Sequence, residues 1–279
     1  MKFDFFTFGG AVFWEDVFFY QKWRIQRNCY TKRYRLLDSW DIRRASGTFE
    51  HCQKTFIEYI NSYEIPRQQG KMVVLLHGYG DSKNIFKPLW RKLVRTNTVV
   101  AAINYPSLFR SALASAHQLL FFLNHLEDIT EISFVSKGAG SLVLQQLFNL
   151  PVELQTFQKS MRIGNIVEIN PVIKENLLCD FLYRYKIFRV LLGPMIRDFT
   201  ESGLKYVPSL PKELNILYIF TDSAYYQYFL DILKQLSTSE TEYRHQKKHL
   251  IYINKKTYSP LKNEQLLNNT VKFINNGKI

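Results

Sequence analysis

The chain has 279 residues; 46% are hydrophobic and 15% aromatic, which excludes a largely disordered protein and allows one domain with a sizeable core. Its net charge of +13 favours anionic partners such as an anionic membrane surface, an acidic protein or nucleic acid. The Lys and Arg residues are spread along the chain without a known nucleic-acid-binding pattern, so we do not expect nucleic acid as the partner.

The N-terminal segment is rich in Phe, but Asp4, Glu15 and Asp16 interrupt it. It therefore lacks the basic start and the apolar run of a secretory signal. No stretch of the sequence reaches the roughly 18 apolar residues of a membrane span. The three cysteines lie far apart, which argues against a disulfide framework and against a zinc site. These features predict a cytoplasmic protein with no metal or cofactor.

Residues 1–65 predict short strands and a helix that precede the main sheet. Residues 25–28 and 34–38 have the composition of a hairpin that turns near Thr31 and Lys32. Apolar residues then recur at helical spacing from Phe49 to Ile60.

The rest of the chain alternates strands with helices. We expect strands at 72–76, 98–104, 131–135, 163–169, 214–220 and 250–253, and helices at 85–94, 111–126, 141–148 and 263–274. This alternation predicts the α/β class with a doubly wound, mostly parallel sheet. No repeat or linker divides the chain, so we expect a single domain over 1–279 in which 171–212 is a cap-like insertion.

Two turns that contain Gly follow two of these strands, at the sheet edge where open α/β sheets bind their ligands. They are His77-Gly78-Tyr79-Gly80 and Ser136-Lys137-Gly138-Ala139-Gly140. Neither turn has the third Gly of a dinucleotide-binding loop. The second turn has the strand–turn–helix setting of a nucleophile elbow, and the first could supply part of an oxyanion hole. Gly138 stands at the elbow tip, where it can adopt a positive φ but has no nucleophile.

Motifs along almost the whole chain resemble the bacterial α/β-hydrolase-fold esterases and lipases. The matching segments are 10–16, 43–50, 77–80, 104–107, 134–140, 169–171 and 273–277. The resemblance implies an α/β-hydrolase fold, a helical cap over the site and a Ser–Asp–His triad. It also implies a ligand-binding oxyanion hole at His77, Gly78, Tyr79 and Ala139, with N–H groups from Tyr79 and Ala139.

The sequence departs from the implied triad at each member. The nucleophile position is Gly138, and the base position falls at Lys256 or Thr257. The acid should lie between the 214–220 strand and the base, where Asp222 and Asp231 are the only aspartates. A protonated Lys cannot take the proton of a Ser hydroxyl. The triad implied by the resemblance is therefore degenerate here.

Four other residues are backup candidates for a displaced site. Ser136 lies two residues before the elbow tip, and Ser141 begins the next helix, where it could instead act as a cap. His245 and His249 are the only histidines late enough in the chain to serve as base, but both lie at or before the last strand. Either Ser would need a base within reach in order to react.

Residues 177–206 of the insertion predict one or two helices with an apolar stripe and interleaved cations. The stripe consists of Phe181, Leu182, Tyr185, Phe188, Leu191 and Leu192, and the cations are Arg184, Lys186, Arg189 and Arg197. We expect the stripe to be buried beneath a cap. The alternative is a basic amphipathic surface that rests on an anionic membrane.

Two functional hypotheses remain open. In the first, the protein is a catalytically degenerate hydrolase that acts as a binding or regulatory protein, with an acyl or carboxylate small molecule as its ligand. In the second, it is an active esterase or lipase that uses a nucleophile displaced from the elbow.

Overall fold

The computed structural model describes residues 13–96, 98–204, 210–222, 226–228, 248–254 and 260–279. The strands of this part are β1 Trp14–Tyr20, β2 Trp23–Asn28, β3 Tyr34–Leu37, β4 Arg43–Gly47, β5 Gly70–Leu76, β6 Val99–Ile103, β7 Ile129–Lys137, β8 Arg162–Ile169, β9 Ile216–Phe220 and β10 Lys248–Tyr252. The helices are α1 Phe49–Tyr63, α2 Lys87–Leu93, α3 Ala112–Asn124, α4 Gly140–Asn149, α5 Leu177–Tyr183, α6 Lys186–Leu191, α7 Glu201–Leu204 and α8 Glu264–Asn276.

Strands β5 to β10 form one sheet in the order β6-β5-β7-β8-β9-β10, and every neighbouring pair is parallel. Helices α3 and α4 pack on one face of this sheet, and α2 and α8 pack on the other. Central strands covered on both faces must be apolar throughout, which explains their runs of Val, Ile and Leu. The doubly wound parallel sheet predicted from the sequence is confirmed.

Strands β1 to β4 form a separate antiparallel meander, which contains the predicted hairpin as β2 and β3. Helix α1 begins after Thr48, whose hydroxyl accepts a hydrogen bond from the backbone N–H of His51. The helix packs on the meander through Cys52 and Phe56. The first strands and the helix predicted before the main sheet are therefore confirmed.

Two acids join the meander to the main sheet. Glu15 and Asp16 in β1 are only 1% and 3% exposed. Glu15 pairs with Arg27, while Asp16 accepts hydrogen bonds from Gln26 Nε2 and from the backbone N–H of Asn104, both at 2.7 Å. Each buried carboxylate thus has a partner, as a buried charge requires. The Asn104 contact fixes β1 beside the segment that follows β6.

Two expectations about element boundaries are wrong. Strand β7 continues through Lys137, which pairs with Ile169 of β8, so Ser136 belongs to the strand and not to the turn. The described part of the cap contains three short helices rather than one or two, and Gly193 with a φ of 74° and Pro194 end the apolar stretch after α6. Within the described ranges, no helix combines the length and the hydropathy that crossing a membrane would require.

Candidate functional site

The elbow predicted around Gly138 is present in its backbone geometry. Strand β7 ends at Lys137, Gly138 has a φ of 53°, and α4 begins at Gly140. The backbone N–H of Gly138 donates to Ile169 O at 3.0 Å, which ties the tip to β8. A Cβ at Gly140 would lie 2.5 Å from Leu76 O, so only Gly lets the start of α4 approach β5. The expected positive φ at Gly138 is confirmed.

The turn after β5 lies directly against the elbow. A Cβ built on Gly138 would lie 3.9 Å from the Cα of Gly78. Lys137 Nζ and Asp81 Oδ2 form an ion pair at 2.7 Å that connects the two turns. This proximity follows from the topology, because β5 and β7 are neighbours in the sheet although they are not consecutive in the chain.

Two backbone N–H groups at this junction have no acceptor in the part of the chain that the structure describes. Within the described residues, neither Tyr79 nor Ala139 donates its N–H in a hydrogen bond to another protein group. Tyr79 and Ala139 directly follow Gly78 and Gly138 in the two adjoining turns. Their N–H groups are the donors that we expected for an oxyanion hole. Free N–H groups at a turn can bind an oxygen atom that carries negative charge.

His77 holds the first turn in place. Its side chain is fully buried and stacks on the ring of Tyr105, with centroids 4.1 Å apart. Nδ1 contacts Gly78 O at 2.8 Å, and Nε2 faces the backbone N–H of Tyr105. Burial lowers the pKa of His77 to about 4, so the ring is neutral at physiological pH. The buried neutral ring therefore positions the loop.

Both serines beside the elbow are fully buried. The Ser141 hydroxyl donates to Gly138 O at 2.8 Å and accepts from the backbone N–H of Val172 at 3.1 Å. Ser136 Oγ lies 3.5 Å from Glu168 Oε1 beneath the sheet surface. The two hydroxyl groups stabilise local structure, and neither one stands at the elbow tip.

Glu168 of β8 is a buried carboxyl that the sequence analysis missed. Its exposure is zero, and its Oε2 atom has no hydrogen-bond partner among the described residues. Burial raises the pKa of Glu168 to about 8, although the Ser136 hydroxyl and Lys248 oppose this shift. The sequence signal for this site was a Glu within a strand of β-branched residues. In the sequence that Glu looks like an ordinary exposed residue.

The backup base His249 lies far from the elbow. His249 pairs with Leu217 in β9, whereas the tip is bonded to Ile169, which pairs with Ile219. His249 and the elbow tip are therefore separated by three strand spacings across the sheet and by two residues along the strands, a distance of roughly 16 Å. The ring of His249 also packs on Phe273 of α8. His249 therefore cannot serve as the base for a nucleophile at the elbow.

Of the remaining triad candidates, Asp222 alone lies within the described residues. Asp222 is exposed just after β9, at the same edge of the sheet as the elbow. Asp231, His245, Lys256 and Thr257 lie outside the described residues. No cluster of three His, Cys, Asp or Glu side chains that could hold a metal ion occurs among the residues that are described.

A cavity of about 300 Å³ lies beside the elbow, between the sheet edge and the cap. Its apolar wall includes Val172, Phe199 and Phe220, and Lys174 and Asp222 are among its polar residues. Val172 is bonded to Ser141 of the elbow helix, and Phe199 packs edge-on against Tyr79. The cavity walls are therefore in direct contact with both turns.

The architecture is similar to that of several solved structures. A thermophilic esterase from Thermogutta terrifontis, with malate bound, is 12% identical, with a TM-score of 0.50 over 76% of this chain and 92% of its own. A variant of PytH is 10% identical, with a TM-score of 0.50 over 75% of this chain and 99% of its own. A monoacylglycerol lipase from Paleococcus ferrophilus is 13% identical, with a TM-score of 0.48 over 74% and 95%.

At these identities the similarity concerns the fold, and the chain has an α/β-hydrolase fold. No protein-family model matches the chain, and no curated protein matches it.

Proposed function

We propose that this protein is a catalytically degenerate relative of the bacterial esterases and lipases, which binds a small acyl or carboxylate ligand in the cytoplasm and does not hydrolyse it. The observation that carries the proposal is Gly138, because the elbow keeps its positive φ while its tip has no side chain. Acyl transfer requires a nucleophile at that tip and a base that takes its proton.

Neighbouring groups do not replace the missing nucleophile. The hydroxyl of Ser141 is bonded to Gly138 O and to the N–H of Val172, and the hydroxyl of Ser136 faces Glu168 inside the core. His249 is roughly 16 Å away from the tip across the sheet. A Ser hydroxyl without a base remains protonated and is a weak nucleophile.

Two backbone donors and the adjoining cavity support the binding part of the proposal. The free N–H groups of Tyr79 and Ala139 offer donors for a carbonyl or carboxylate oxygen. The adjoining cavity of about 300 Å³ has room for a short acyl chain between Val172, Phe199 and Phe220. Lys174 also lines this cavity and supplies a cation for an acidic ligand.

Hydrolytic activity is tested with a fluorophosphonate probe and with short-chain and medium-chain p-nitrophenyl esters. We expect the purified wild-type protein to show neither labelling nor turnover above buffer, whereas an active serine esterase in parallel shows both. Labelling that disappears in Ser136→Ala or Ser141→Ala would instead establish an active esterase with a displaced nucleophile.

Ligand binding is tested with octanoate and octanamide by calorimetry. We expect octanoate to bind, and Lys174→Gln to weaken its binding about tenfold by removing a charged partner, with little effect on octanamide. Lys272→Gln, which removes an exposed cation of α8, is the matched control. Failure of the wild-type protein to bind either compound contradicts the binding role.

A further inference from the structure

The cap presents an apolar outer surface where the sequence predicted a buried stripe. In α5, Leu177, Leu178 and Phe181 are 77%, 63% and 52% exposed. Of the predicted stripe, Tyr185 and Leu191 are also exposed, and only Leu182, Phe188 and Leu192 are half-buried. The expectation of a buried stripe is therefore wrong.

Helix α6 continues the same surface. Ile187, Val190 and Leu191 recur at helical spacing and are 65%, 73% and 68% exposed. The rings of Phe181 and Tyr185 lie 5.4 Å apart and make the surface continuous between α5 and α6. Single exposed apolar residues are ordinary, but a contiguous set marks an interaction surface.

The cap is already packed against the body of the protein on its inner side. Met195 and Ile196 are buried, and the Tyr79 hydroxyl donates to Leu192 O. Asp198 Oδ2 accepts a hydrogen bond from the N–H of Ala112 at 2.7 Å, and Gly193 sits tightly against Leu108 O. Because the inner side is occupied in this way, the exposed apolar residues face outward.

Positive charge borders this surface. Arg184, Lys186 and Arg189 are exposed. The one acid of α5 and α6, Asp180, accepts a hydrogen bond from the backbone N–H of Glu201. A second copy of the chain would bring these cations against identical cations. Protein interfaces have little charge at their centre, whereas here the exposed apolar side chains alternate with cations. Aliphatic side chains beside Lys and Arg fit the boundary between lipid headgroups and acyl chains.

We propose that the α5–α6 face of the cap binds the surface of an anionic lipid membrane. Leu177, Leu178, Ile187, Val190 and Leu191 enter the acyl boundary, and Arg184, Lys186 and Arg189 pair with lipid phosphates. This binding is independent of ligand binding at the elbow, because it uses only the outer side of the cap.

The test is flotation of the full chain with phosphatidylcholine vesicles that do or do not contain phosphatidylglycerol. We expect binding only to the mixed vesicles and loss of that binding at high salt. Replacing Arg184, Lys186 and Arg189 with Gln should lower partitioning on the order of a hundredfold, since each cation near the surface contributes about fivefold. Replacing Lys54, Arg91 and Arg95 with Gln removes the same net charge elsewhere and should have little effect.

A second variant tests the apolar residues of the α5–α6 face. Ile187→Gln with Leu191→Gln should lower partitioning at least about tenfold, because apolar area no longer enters the lipid. Val152→Gln, at a residue 73% exposed outside the cap, is the control. All these positions are exposed, so thermal unfolding should show intact folds. Equal binding to both vesicles, an unaffected cap variant, a salt-stable dimer through the cap, or capture only by an acidic protein overturns the proposal.

Discussion

Glu168→Gln tests the buried carboxyl of β8. The pKa of Glu168 rises from the ordinary 4.5 to about 8 because the side chain is buried. The folded chain therefore binds one more proton than the unfolded chain at any pH between these two values. The contribution of this group to stability is fully present below pH 4.5 and is lost as the pH rises towards 8.

The magnitude follows from the size of the shift. At pH 7 the unfolded carboxyl is ionised and the folded one is mostly protonated. The free energy of unfolding is therefore about 3 kcal/mol lower at pH 7 than in acid. Gln is neutral, has nearly the same shape and can still contact the Ser136 hydroxyl. We therefore expect Glu168→Gln to be more stable than wild type by on the order of 4 kcal/mol at about pH 8, but by only about 1 kcal/mol at about pH 5.

The assay is urea unfolding of both proteins across this pH range, and the quantity compared is the difference in their unfolding free energies. Using the difference cancels other titrating groups, including His77. Glu58→Gln, at an exposed position of α1, is the matched control and should leave the pH profile unchanged. A difference that does not vary with pH would refute the reasoning that Glu168 is protonated in the fold.

Three further predictions concern His77, Asp16 and Gly138. Acidification from about pH 6.5 to 4 should lower the unfolding free energy of wild type by about 3 kcal/mol through His77. The pKa of His77 is lowered to about 4 in the fold, so protonation favours the unfolded chain. His77→Gln should remove this loss, as measured by urea titrations. Asp16→Ala should destabilise by about 3–5 kcal/mol in urea, since Gln26 and the Asn104 N–H lose their acceptor, whereas Asp41→Ala at an exposed carboxylate should cost under about 1 kcal/mol. Gly138→Ser should cost about 1–2 kcal/mol in unfolding free energy and create no ester turnover, as measured with p-nitrophenyl esters.

The strands of the sheet were predictable because the features that define them lie within short stretches of the sequence. Strands such as Val73–Leu76 and Ile216–Phe220 are apolar runs flanked by helices, and a buried parallel strand has few other compositions. The elbow was predictable for a related reason, since a strand followed by closely spaced Gly and then a helix demands a positive φ. Both inferences depend on backbone geometry, which residue type constrains directly.

The cap and the buried charges were not predictable in the same way. Periodicity shows that Phe181, Tyr185 and Leu191 share a stripe, but it does not show whether another element covers that stripe. Glu15, Asp16 and Glu168 look like exposed residues in the sequence, because their burial depends on partners that are distant in the chain. Asn104 is 88 residues from Asp16, and no local pattern connects the two.

The glycine at the elbow tip is not explained by crowding. A Cβ at Gly138 would meet nothing closer than the Cα of Gly78 at 3.9 Å, so a Ser side chain has room there. The remaining obstacle is a φ of 53°, which L-residues adopt at a cost of about 1–2 kcal/mol. Gly138→Ser should therefore fold and place a hydroxyl at the tip, yet remain inactive, because His249 lies roughly 16 Å away across the sheet and the expected base position is Lys256 or Thr257. Gly138→Ala carries the same strain without the hydroxyl and is its control. Ester turnover by Gly138→Ser alone would show that a base already stands beside the tip, and the degeneracy would then be confined to one residue.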